Sequence, residues 1–328
     1  MTHQPPKRRL RRIVRYGVTV VVIVAVAWLF AIALAENWAE VDEQDLQFSW
    51  LMVSAIAVFA VAVPISGLLW GQIVNRLSTA ARVSPREAMA VHSASWLLKY
   101  IPGQVGSLLN KVLWSQKRGI SRRLVVISFI YENVFLQLSS IVPGTIILLA
   151  SVGSKVFESN VLTAVLPILA VIPLLAVLDR RLFHWVMSFA TRRILKQELP
   201  REYFLPTAST VAFLGKFLLP RMINGVGFVL VAASFMDVPA QAWLPLAATY
   251  VLAGAIGILA VFVPSGLGVR EAVIFVFALQ YMSPAQAVLL SLLSRLLSTI
   301  ADGVVALFYI ALRASLKTRP PTSSMNPI

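Results

Sequence analysis

Apolar runs separated by short polar breaks make up almost the whole chain, and the breaks carry most of its charge. The first run, residues 13–35, follows the basic stretch Lys7-Arg8-Arg9-Leu10-Arg11-Arg12. Its apolar core of about twenty residues matches a hydrocarbon layer about 30 Å thick at about 1.5 Å of helix rise per residue. Ala33-Leu34-Ala35 imitates a signal-peptidase site, but the length of the run favours an uncleaved signal-anchor helix. Further spans are predicted over residues 50–74, 124–150, 161–178 and 285–312. Residues 204–236, interrupted by Lys216, Pro220 and Arg221, read as an interfacial or tilted piece followed by a span.

Two stretches break this pattern. Residues 88–114 divide at Pro102-Gly103 into arms of about fourteen residues, too short to cross as helices. Residues 243–282 divide at Val263-Pro264-Ser265-Gly266-Leu267-Gly268-Val269-Arg270-Glu271, a turn that ends in adjacent opposite charges. Irregular backbone within a membrane is tolerated only where protein or a wet cavity satisfies it. The expected fold is therefore all-α and polytopic, with six spans plus two helical hairpins, re-entrant or making eight spans in all.

Composition agrees. The 328 residues are 58% hydrophobic and 13% charged, with a mean hydropathy of +0.80, against about 25% charged residues in soluble domains. There is no cysteine, and His3, His92 and His184 lie far apart, so the sequence predicts no metal site and no cofactor. The net charge of +15 is not a nucleic-acid signature, because it sits at the ends of apolar runs and no soluble domain carries a binding face.

That charge also orients the chain. In the predicted layout, 22 of the 29 basic residues fall in cytoplasmic segments or at their membrane edge, and one, Lys155, in an outer loop. The acidic loop Glu36, Glu40, Asp42, Glu43 and Asp45 reads as extracytoplasmic, and the basic and aromatic residues 179–201 as an amphipathic helix on the inner surface. Residues 1–13 form a basic cytoplasmic N-terminus, 14–312 the membrane domain and 313–328 a disordered cytoplasmic tail.

A shift of 162 residues lays Pro102-x-x-x-Gly106 on Pro264-x-x-x-Gly268 and pairs Asn133 with Arg295 and Ser140 with Asp302. Three predicted crossings separate the hairpins, so repeat units over about 84–150 and 238–312 would have inverted topology. Inverted repeats with broken helices are a transporter architecture.

The predicted last span carries Ser291, Arg295, Ser298 and Asp302 at helical spacing, with Ser294 and Thr299 alongside. Its counterpart is Asn133, Gln137, Ser140 and Gly144, with Glu132 beside it. Such stripes must face the bundle interior or a cavity. Two readings are open: Arg295 pairs with Asp302 or Glu132 and Arg270 with a nearby carboxylate as structural glue, or these residues bind substrate. In the second, Arg270, Arg295 and Lys111 donate to an anionic phosphate headgroup, while Glu271, Asp302 and Glu132 receive a cationic group or a proton, with Asn133 beside them. Lys99 and Lys216 are expected to snorkel to the interface.

Lys99-Tyr100-Ile101-Pro102-Gly103-x-Val105-Gly106 and Val263-Pro264-Ser265-Gly266-Leu267-Gly268-Val269-Arg270-Glu271-Ala272 resemble two blocks of the lysylphosphatidylglycerol synthase transmembrane-region family. The likeness spans residues 14–312. It implies a lipid-translocating fold with hairpin turns at Pro102, Gly103 and Gly106 and at Pro264, Ser265, Gly266 and Gly268. Ser265 stands where the family has glycine, and no aminoacyl-transferase domain follows Leu312, so lysyl-lipid synthesis is not expected. The expectation is a non-enzymatic, flippase-like transporter of the bacterial cytoplasmic (inner) membrane, with both termini cytoplasmic. It would move an anionic phospholipid or a polyprenyl-phosphate-linked lipid. Homo-oligomers and a separate lipid-modifying enzyme are the protein partners it leaves open. The alternative is a membrane glycosyltransferase, using Asp42 and Glu43, or a non-catalytic partner in envelope glycan assembly.

Overall fold

The computed structural model describes residues 48–78, 82–100, 105–152, 203–260 and 266–317, with a few positions between 181 and 192. The spans expected at 13–35 and 161–178 lie outside these residues, as do the acidic loop and Pro102, Gly103, Pro264 and Ser265. The predicted surface helix is described at a few positions only, and the tail beyond Lys317 not at all.

The described residues are helical, without strands. The helices are α1 (Trp50–Leu77), α2 (Pro85–Leu97), α3 (Val105–Lys117), α4 (Arg122–Val152), α5 (Thr207–Ala233), α6 (Ala240–Leu259), α7 (Val269–Ala278) and α8 (Pro284–Lys317), with a 3-10 turn at Leu98–Tyr100 after α2. Five of them, α1, α4, α5, α6 and α8, are long and apolar enough to cross a membrane. At about 1.5 Å per residue α2 and α3 reach about 20 Å and α7 about 15 Å, all short of a hydrocarbon core. The chain is a polytopic all-α membrane protein.

Local chemistry sets the helix ends. Ser84 accepts from the Glu87 amide at 3.3 Å to start α2, with Pro85 in the first turn. Ser283 and Gln286 cap each other's amides reciprocally, at 3.2 and 3.3 Å, where α8 begins. Residues 207–233 form one helix, so the separate interfacial piece expected there is absent. Its interior Pro220 removes the hydrogen bond to the Lys216 carbonyl without ending the helix, because packing on α1 and α6 holds both halves.

The first hairpin closes on itself. Glu87, at the start of α2, meets Arg118 just beyond α3 at 2.9 Å and accepts from Trp114 Nε1 at 3.0 Å. Helices α2 and α3 therefore run antiparallel and return to one end. α2 lies hard against α1 because Gly67 and Gly71 face it. A Cβ at Gly71 would stand 2.5 Å from the Ala88 Cβ, and one at Gly67 would stand 2.9 Å from the His92 Cβ. Small residues four apart permit this approach, which carries His92 into the bundle.

The second break needs glycine for two reasons. Gly266 has φ +66, and a Cβ there would come within 2.7 Å of the Gly257 Cα. The chain thus folds back onto the end of α6, and α7 starts at once behind it.

The interior divides into aromatic and polar parts. Phe59, Phe228 and Tyr250 stack in one cluster, with centroids 5.3 and 4.7 Å from Tyr250. Tyr131, Phe135, Phe213 and Phe217 form another. The outward positions Leu292, Leu296, Ile300, Val304 and Leu307 of α8 are exposed apolar residues, as a lipid-facing surface requires, while Ser291, Ser294 and Asp302 on its other side are buried. The polar stripe faces inward as expected, apart from Thr299, which is exposed.

Candidate functional site

A cavity of about 600 Å³ lies inside the helix bundle, and all eight helices contribute to its wall. Its charged lining comprises His92, Lys99, Lys111, Glu132, Arg221, Arg270 and Asp302. Both hairpins reach it.

The first cluster is fully buried. Lys111 of α3 pairs with Glu132 Oε2 of α4, while His92 Nδ1 of α2 lies 2.9 Å from Glu132 Oε1. Lys111 also stands over the Trp70 ring, 4.4 Å from its centroid, and Trp70 donates to Ser128 Oγ at 3.1 Å. An ion pair withdrawn this far from water needs such added contacts to offset desolvation. With Nδ1 turned to the carboxylate, His92 Nε2 is left at the cavity wall, buried and without a hydrogen-bond partner.

The second cluster joins the first hairpin to the last helix. Lys99, in the 3-10 turn, lies 2.8 Å from both Asp302 oxygens, and Trp96 Nε1 donates to Asp302 Oδ1 at 2.8 Å. Lys99 therefore does not snorkel outward. It turns in over the Trp96 ring, because a carboxylate waits there. Lys216 does lie at the exposed face, donating to Gln72.

Arg221 and Arg270 form the third group. The Arg270 guanidinium lies over Tyr250, 4.1 Å from the ring centroid, and Tyr250 is fixed in turn by its aromatic stack. Neither arginine has a carboxylate partner among the described residues, and Arg221 Nε and Arg270 Nη2 are buried without hydrogen-bond partners. Asn224, one turn beyond Arg221, shares its place in the wall.

Of the residues expected to bind substrate, Arg270, Asp302, Lys111, Glu132 and Asn133 line the cavity, and Gly266 of the second break lies in its wall. Arg295 and Glu271 do not. Glu271 Oε2 accepts from the Gly268 amide at 2.7 Å, capping α7, and its other oxygen meets Arg295 at 3.5 Å. Neither predicted pairing of Arg295, with Asp302 or with Glu132, appears among the ion pairs described. Asn133 donates to the Phe129 carbonyl of its own helix, and Gln137 reaches across to the Ala255 carbonyl at 3.2 Å.

Sequence reasoning missed His92, Lys99, Arg221 and Tyr250 as site residues. Pro220-Arg221-x-x-Asn224 was the readable signal, a charge and an amide one turn apart in an apolar run. His92 gave none, since its partners lie on other helices.

Among the described residues no group of histidines, cysteines and carboxylates could hold a metal. A search of curated proteins finds no match to the chain. The family described as the lysylphosphatidylglycerol synthase TM region matches residues 16–306. These residues include both breaks and every charged side chain of the cavity wall, and the chain belongs to that family.

Proposed function

We propose that the chain is a flippase-like transporter that draws the anionic headgroup of a lipid into this cavity and passes it across the bacterial cytoplasmic membrane. One observation carries the reading: Arg221 and Arg270 line a cavity in a membrane protein with no carboxylate to neutralise them among the described residues. A guanidinium left unpaired in such a place is costly, and its planar donor fork matches phosphate oxygens. Transport without bond chemistry is in keeping with a wall whose carboxylates are held in ion pairs.

An inverted repeat supplies a means of moving the headgroup. The 162-residue shift that aligns the two breaks also carries the end of α2 at Leu97 onto the end of α6 at Leu259. It carries the start of α4 at Arg122 onto the start of α8 at Pro284. With the two hairpins re-entrant from opposite faces, as the distribution of basic residues supports, each could open the cavity to its own side. Both termini would then be cytoplasmic.

The test is headgroup transfer in proteoliposomes carrying, in parallel, fluorescent phosphatidylglycerol and fluorescent phosphatidic acid, followed by quenching of the outer leaflet. Arg270→Gln should slow transfer at least about tenfold, the loss expected of a charge-assisted contact, with an unchanged size-exclusion profile. Normal transfer by this variant would sink the reading.

A further inference from the structure

The charges on the cavity wall do not balance. Glu132 is engaged by Lys111 and His92, and Asp302 by Lys99 and the Trp96 indole. Glu271, behind the wall, is held by the Gly268 amide and Arg295. Among the described residues every carboxylate near the site thus has its cation, and what remains is Arg221 and Arg270. These two guanidinium groups line the same cavity. The Tyr250 ring covers one face of Arg270, so a ligand must approach its edge, where Nη2 lacks a partner. The edge of Arg221 offers Nε in the same state.

On the footing that this cavity takes a lipid headgroup, we infer that it selects one with at least two negative charges on phosphate, a phosphomonoester or a diphosphate. A phosphodiester, with one charge, neutralises one arginine and leaves the other bare in a medium of low dielectric. A dianion bridges both. An aminoacylated headgroup brings a further cation and meets, among the described residues, no carboxylate that is not already paired. Asn224 adds a neutral amide donor at the wall, suited to the outer oxygens of a phosphate. Two lipid classes carry this chemistry, diacylglycerol phosphates and polyprenyl phosphates or diphosphates.

Binding separates these cases without reference to transport. The protein is placed in phosphatidylcholine nanodiscs at a pH of about 8, where a phosphomonoester bears nearly two charges. Each disc is doped with phosphatidic acid, polyprenyl phosphate, polyprenyl diphosphate, phosphatidylglycerol or lysyl-phosphatidylglycerol, and retained lipid is counted by native mass spectrometry. At least one dianionic class should be held about tenfold over phosphatidylglycerol, the worth of one further charge-assisted contact. Lysyl-phosphatidylglycerol should not exceed the phosphatidylcholine background. The better-held class, diacyl or polyprenyl, identifies the source. Arg221→Gln should cut dianion retention about tenfold and change phosphatidylglycerol retention less than about twofold, while Arg221→Lys restores part of the difference. Equal retention of phosphatidylglycerol and all three dianionic lipids, preferential retention of the lysyl lipid, or an undiminished preference in Arg221→Gln overturns the inference. Any of these results beside transfer that still depends on Arg270 leaves the transport reading standing, so the two fail separately.

Discussion

Lys111 and Glu132 show what a buried charge does when it has a partner and what it would cost without one. Both are shut off from water, and His92 and the Trp70 face complete their surroundings. Lys111→Ala would strand an ionised carboxylate, which costs about 3–5 kcal/mol. The single variant should melt well below the parent in detergent, and Lys111→Met with Glu132→Leu should recover most of the loss, since apolar pairs of similar volume replace buried ions at little cost. A double variant as unstable as the single would mean that the pair holds the bundle by more than mutual neutralisation. The sequence showed both residues but not their pairing. Lys99 and Asp302 are farther still from legibility, 203 positions apart, and no periodicity joins residues so distant. What could be read was that Asp302 lies on an inward stripe, since that depends only on spacing along one helix.

Helices were legible where apolar length defines them, and their detailed ends where capping residues do. The breaks were legible as glycine and proline, but the reason for glycine at 266 was not, because it lies in a contact with Gly257 across the turn. Gly266→Ala should lose about 1–2 kcal/mol from the left-handed backbone alone, and more from the 2.7 Å approach to the α6 backbone. A lower melting temperature together with loss of headgroup binding is the expected result, because the same turn sets the start of α7 and hence Arg270. Retained binding at full affinity would show that α7 is positioned by its packing on α6 and α8 alone. The fifth segment was misread for a related reason. Lys216, Pro220 and Arg221 look like an interruption in one dimension, yet on a helix they point different ways. Lys216 reaches an exposed face while Pro220 and Arg221 meet the cavity.

At the scale of the molecule, the transport reading needs the two hairpins to enter from opposite faces, and helix boundaries alone do not say which face is which. Charge supplies the expectation. Arg86 and Lys117 flank the first hairpin in a basic context, whereas the connections around Asp237 and Gln280 contain no Lys or Arg. All four positions are exposed, and the chain has no cysteine, so each can carry a single introduced thiol. An impermeant maleimide applied to intact spheroplasts should label Asp237→Cys and Gln280→Cys at once. It should reach Arg86→Cys and Lys117→Cys only after the membrane is opened. The Glu87–Arg118 bridge already ties the two ends of the first hairpin together, so Arg86 and Lys117 must behave alike. Labelling of all four from one side would put both hairpins on the same face. The shared boundaries at the 162-residue shift would then reflect a direct repeat, and a cavity opened from one side only could bind a headgroup without carrying it across.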